Sequence, residues 1–278
     1  MRLTNCMSLV ANPIAVTQSI YFTLAAYRGI ELRLRLIVDE GNGYYNMAMD
    51  EALLFSVAMG GVPTVRLYVF SRPTVTIGYF QKIEEVVNLE LARREGIDVV
   101  RRITGGGAVY HDPKGEITYS IVVPERNAPG DIVESFKYLA SGVIEAARAL
   151  GAPAEFVPLN DGVIAGKKFS GQAQIRRFGV VLQHGTFMYA TDLDTLSEVI
   201  KIRGVKLSSR GPVRARVTTL SEYLGRRIDR EEAVKALIEG FKKGLGVDLQ
   251  DGTYTEVELR LASELEWKYK SRDWVFMR

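Results

Sequence analysis

Residues 101–112, RRITGGGAVYHD, place two arginines, three glycines, a histidine and an aspartate within a dozen positions. Consecutive glycines cost backbone entropy in any regular element, so they mark a tight bend or a close approach to the main chain. Arg101 and Arg102 make the approaching group an anion, either phosphate or carboxylate. A hairpin turn with both arginines in water satisfies the same stretch. A dinucleotide fingerprint is excluded, because Tyr110 stands where its last glycine would be. A second run, NDGVIAGKKFSGQAQIRRFGVVLQHGT from Asn160 to Thr186, sets Lys167, Lys168, Arg176, Arg177 and His184 among glycines. It reads as an anion-binding β segment or as a solvent-facing hairpin. Within it, Gly162–Lys168 is one residue short of a P-loop and has Lys168 in place of Ser/Thr.

The whole chain must position these residues. Its 278 residues, 47% hydrophobic and 25% charged, are enough to bury a sizeable core in one large domain. A net charge of +3 suits an anionic ligand or acidic partner and is too small to indicate nucleic acid by itself. Cys6 is the only cysteine, which excludes an internal disulfide and a cysteine-ligated zinc site. With only His111 and His184, a histidine-rich metal site is disfavoured. Residues 3–27 carry no charge, but Asn12, Pro13, Thr17, Gln18 and Ser19 interrupt the apolar run. That makes a poor spanning helix and a poor secretory signal, so residues 1–32 read as a peripheral extension of a cytoplasmic protein.

Periodicity predicts strands over 31–39, 64–71, 74–80, 97–104 and 116–124, with further β-runs over 163–190 turning at Gly166, Gly171 and Gly179. It predicts helices over 46–60, 83–96, 131–150, near 192–201, 219–224 and 230–245, and a last one from Thr255. Asp131/Glu134, Thr219/Glu222 and Thr255/Glu258 have capping-box spacing. The β-runs are segregated instead of alternating strictly with helices, which favours an α+β assembly.

Taken together, R-R-x-[ST]-G-G-G-A-V-[YF]-H-D, then N-D, G-K-K-x-S-G and H-G-T, resemble the lipoate–protein ligase A family. The stretch LRLIVDEGNGYYNMAMDEALL is similar to that family's first strand and helix, and the likeness runs over about residues 33–278. The resemblance implies a class II aminoacyl-tRNA synthetase-like fold, shared with biotin–lipoate ligase catalytic domains. It implies ATP-dependent activation of lipoate to lipoyl-adenylate with Mg²⁺. Transfer would then go to a lysine of lipoyl-domain proteins, such as 2-oxoacid dehydrogenase E2 or glycine cleavage H protein. By the same resemblance, Arg102, Gly107, Ala108, Val109 and Tyr110 meet the nucleotide, and Asn160 and Asp161 serve ATP and Mg²⁺. Lys168 is the catalytic lysine, touching both phosphate and acyl carbonyl. Arg102, Lys168 and His184 hold lipoate.

Some features depart from the family pattern. Gln183 stands where the family usually has a second histidine, and HDPKGEITYS is one residue longer than the common form. The sequence ends soon after EWKYKSRDW, so the family's small C-terminal domain is expected as a separate accessory protein. A rival on the same scaffold is a lipoyl or octanoyl transferase that takes a pre-activated acyl donor without ATP. Its cysteine-dependent form is disfavoured, since Cys6 lies outside the matched region. A biotin ligase lacks support without its G-R-G-R-x-G-R signature. A nucleic-acid-binding module would read the Lys/Arg clusters as phosphate contacts, but no pattern of stacking aromatics accompanies them.

Overall fold

The computed structural model describes residues 33–201 and 211–278. The predicted extension and Cys6 lie outside the described residues. The chain runs through β1 (Arg33–Gly41), α1 (Gly43–Ala58), β2 (Thr64–Phe70), β3 (Thr74–Ile77), β4 (Asp98–Arg101), β5 (Val109–His111) and β6 (Glu116–Pro124). It continues with α2 (Ile132–Leu139), α3 (Ser141–Ala149), β7 (Ala154–Val157), β8 (Asp161–Ile164), β9 (Lys167–Arg177) and β10 (Val180–Met188). It closes with α4 (Arg230–Leu245), β11 (Asp248–Asp251), α5 (Glu256–Lys270) and the short α6 (Arg272–Val275).

Eight strands form one mixed sheet in the order β11-β1-β2-β6-β10-β9-β8-β7, and β4-β3-β5 form a second. Strands β2, β6 and β10 are buried almost end to end, which explains their near-continuous apolar sequences. β1 and β2 run parallel, with α1 connecting them, while β2–β6–β10–β9–β8–β7 is antiparallel throughout. This is the α+β arrangement expected from the segregated β-runs.

Register decides which side chains meet. Ser120 pairs with Arg66 and His184, and Thr118 pairs with Tyr68 and Thr186, so a polar stripe crosses one face of the central strands. Helix α1 covers that face, and α5 packs against α1 from outside. The α1 helix starts earlier than periodicity predicts because Asn42 caps it, accepting from the Tyr45 amide. The opposite face carries Tyr119 and Gln183 and is covered by α2, α3 and α4.

Two predicted helices are each broken in two. The 131–150 stretch divides at Ala140 between α2 and α3. The 83–96 stretch divides at Val87, which leaves the helix to bridge Ile200. Gly171 also differs from expectation, lying inside β9 and not at a turn. The turns fall at Gly166 and Gly179, both with positive φ.

Candidate active site

A cleft opens between the polar stripe of the large sheet, the small sheet and the start of β9. Arg102, Gly107, Ala108, Val109, Asn160, Lys168 and His184 all line it, so most of the sequence-predicted site residues come together. Tyr110 does not line it; its ring is in the core against the small sheet. Asp161 sits beside the cleft through its contact with Lys168.

Lys168 is the half-exposed cation of the site. Its Nζ is 2.6 Å from Asp161 Oδ1, a pair set up by the β8–β9 hairpin. Its backbone is fixed on the other side, with its N–H donating to Arg216 O and its carbonyl accepting from the Thr218 amide. The Lys168 stem lies across Gly171, where a Cβ would come within 2.6 Å of both Cε and Nζ. A glycine is therefore needed there for room and not for a bend. Asn160 turns inward, its side-chain amide donating to the Gln172 carbonyl while its own carbonyl accepts from the Gln172 amide.

Arg102 is buried, so the solvated-hairpin reading of its stretch does not hold. Its Nη2 donates to the carbonyls of Gly105 (2.8 Å) and Gly107 (2.7 Å), shaping the glycine loop from inside. Nη1 reaches Thr76 O and Oγ1, and Nε reaches Thr104 Oγ1 at 3.0 Å. All five donors thus go to protein groups. Among the described residues no carboxylate pairs with Arg102, and burial lowers its pKa to about 10. The residue acts as a buried positive charge beneath the loop; direct donation to a ligand would require breaking one of these bonds.

His184 has both ring nitrogens engaged. Nδ1 is 2.9 Å from Asp50 Oδ2, and Nε2 is 2.7 Å from Thr104 Oγ1. Burial lowers its pKa, an effect only partly offset by Asp50, so the neutral ring prevails. The Asp50 carboxylate can only accept, which puts the ring hydrogen on Nδ1 and leaves Nε2 to accept from Thr104. Hydrogen bonds therefore run in one direction, from Arg102 through Thr104 and His184 to Asp50. Asp50 also accepts from Arg66, Tyr68 and Ser120. Burial alone would raise the Asp50 pKa, but these donors, His184 foremost, hold it below the usual value. A second chain links Arg102 through Thr76 to His111, whose Nδ1 is 3.1 Å from Glu116 Oε2.

Sequence reading missed Asp50, Thr104, Thr76 and Gly171. Asp50 left a signal: with Asn46 and Glu51 it is a polar group in an otherwise apolar helix sequence, and all three are buried. Gln183, where the family pattern has histidine, faces away from the cleft and joins Gln174 and Tyr119 in an amide–hydroxyl network. Its difference from that pattern leaves the cleft's own hydrogen bonds intact.

Residues 42–242 match the family model of the lipoyl protein ligase A/B catalytic domain. The chain belongs to this family. The octanoyltransferase LipM of Brevibacillus brevis is 36% identical over 88% of this chain and 99% of its own. The bipartite lipoate–protein ligase of Thermoplasma acidophilum, described with its E2 lipoyl domain, is 36% identical with a TM-score of 0.79. That match covers 88% of this chain and 96% of the archaeal one. A lipoate–protein ligase A structure bound with ATP is 34% identical with a TM-score of 0.77, covering 88% and 98% of the two chains.

These comparisons correct the expectation of an ATP-dependent lipoate ligase. Curated relatives at 32% to 36% identity share the name octanoyltransferase LipM, so an adenylating activity is not assigned to this chain. Asp161 is already engaged by Lys168, and among the described residues no three His, Cys, Asp or Glu side chains group as metal ligands. The described helices include none long and apolar enough to cross a membrane.

Proposed function

We propose that the protein is an acyltransferase. It takes an octanoyl group, or the closely related lipoyl group, from a pre-activated donor and places it on the lysine of a lipoyl domain. The supporting observation is the half-exposed Lys168 cation, held by Asp161 over Gly171 at the mouth of a cleft floored by Ala108, Val109 and Ala173. With a thioester donor, the acceptor's neutral amine attacks the acyl carbonyl. The Lys168 ammonium stabilises the negative charge that develops on the carbonyl oxygen. The C–S bond then breaks, the thiolate leaves, and the amine proton balances it as free thiol. Arg102 contributes a fixed positive field from beneath the glycine loop, and Gly107–Val109 form the wall along which the acyl chain lies. His184 and Asp50 keep that wall in place.

The transfer is direct, with no cysteine nucleophile. The chain's one cysteine, Cys6, precedes the family match at 42–242. No part of this reaction calls for ATP or Mg²⁺, and the accessory protein expected for adenylation is not required by it. The test is to mix the protein with an octanoyl thioester and a purified lipoyl domain, without nucleotide, and follow the acceptor by intact mass. Lysine-dependent octanoylation is expected. An acceptor that stays unmodified while the thioester remains intact would overturn the proposal.

A further inference from the structure

We infer that the junction of Arg101 with Trp274 and Val275 positions the glycine loop, making α6 a working part of the transfer cleft. The inference rests on the proposed transfer only for the activity to be assayed. Arg101 is fully buried, and among the described residues its side-chain hydrogen bonds all go to backbone carbonyls. Its guanidinium joins two segments far apart in sequence. Nη1 donates to the carbonyls of Gly78 (3.1 Å), Tyr79 (3.0 Å) and Gln81 (2.7 Å). Nε and Nη2 donate to Val275 O, at 3.1 and 2.7 Å, and Nε also to Trp274 O. In return, Trp274 Nε1 donates to Arg101 O at 2.8 Å.

Residues 78–81 in turn support the glycine loop. The Tyr79 amide donates to Thr104 O at 2.8 Å, and a Cβ on Gly78 would lie 2.1 Å from Gly106 O. Nothing bulkier than a hydrogen fits between the two segments, so a shift in one is passed to the other. Arg102 grips the loop from its other side at Gly105 and Gly107. The paired arginines therefore have separate tasks: Arg102 shapes the loop, and Arg101 fixes the layer behind it to α6. That layer is anchored further, since the Trp274 ring lies 4.1 Å from Lys268 Nζ, which bonds Glu51 of α1. Losing the Val275 and Trp274 carbonyls would leave Nε and Nη2 of a buried cation without acceptors while Nη1 stays bonded to residues 78–81, so those residues must move when α6 moves.

The test compares Trp274→Phe, which keeps an aromatic ring but loses the N–H, with Arg101→Lys, which keeps charge but loses the fork. Phe241→Leu, in α4 on the far face of the sheet, serves as a destabilised control. At a temperature where all are folded, Trp274→Phe should lower kcat by about fivefold. Arg101→Lys should lower it by up to about 10²-fold, and KM for the donor should change less in both. Phe241→Leu should keep the wild-type kcat. Amide hydrogen exchange at Gly105–Gly107 should be faster in Trp274→Phe than in Phe241→Leu, a readout that does not depend on the reaction. Trp274→Phe with wild-type kcat and unchanged loop exchange would overturn the inference. An inactive wild type would instead count against the proposed function, leaving loop exchange to decide the junction's role.

Discussion

Lys168 lies so close over Gly171 that a single added methyl group there would come within 2.6 Å of its Nζ. The clash is with the end of a flexible side chain and not with backbone. Gly171→Ala should therefore fold with near-wild-type stability while pushing the ammonium off Asp161. A loss of activity of about tenfold or more is expected with little change in Tm, since small displacements of a reacting group are costly. Full activity in Gly171→Ala would show that the observed Lys168 position is not the working one.

Lys168→Ala removes the cation itself. The side chain is half-exposed, so no core cavity follows, and a loss of roughly 10²–10³ in kcat is expected from removing one preorganised stabiliser. Lys167→Ala, one position earlier and exposed, should stay within about twofold of wild type under the same mechanism. The reverse ranking would put the wrong lysine in the cleft.

The two lysines also show what the sequence could and could not reveal. The family resemblance named Lys168 over Lys167, and Lys168 is the one of the pair that lines the cleft; the glycine stop at Gly246 and the capping box at Thr255 appear where local chemistry placed them. Breaks at Ala140 and Val87 were hidden because they answer to tertiary packing: Val87 leaves its helix to bridge Ile200, more than a hundred residues away. The Arg102–Thr104–His184–Asp50 chain was hidden for a similar reason. Arg102 and His184 stand out in their own segments and Asp50 is a polar group in an apolar helix, but only strand register and the α1 contact bring the four together.

Acidification should weaken the fold through His184. Its pKa is lowered in the folded protein, so below the ordinary histidine value of about 6.5 the unfolded chain binds the extra proton. The stabilisation is fully present above that pH and is lost as pH falls toward and through the folded value. Protonation would also place a hydrogen on Nε2, facing a Thr104 hydroxyl that already donates to it. Tm should be level above about pH 7 and fall below about pH 6.5, with a shallower fall in His184→Asn. Equal slopes in thermal melts of the two proteins would assign the acid sensitivity elsewhere.

Cys6→Ser should leave transfer unchanged, because no acyl-cysteine is formed in direct attack. Intact-mass analysis of wild type held with octanoyl thioester and no acceptor should likewise show no adduct. A stable adduct that disappears in Cys6→Ser, together with lost activity, would replace direct transfer with a two-step route.

The most direct measurement of the account is acid-dependent ATP–pyrophosphate exchange, run beside ATP-free octanoylation of the same lipoyl domain from a thioester. A pre-activated donor leaves no adenylate to form. No exchange above background is therefore expected with lipoate or octanoate, while the thioester acylates the acceptor. Robust lipoate- or octanoate-dependent exchange, with no transfer from the thioester, would contradict it.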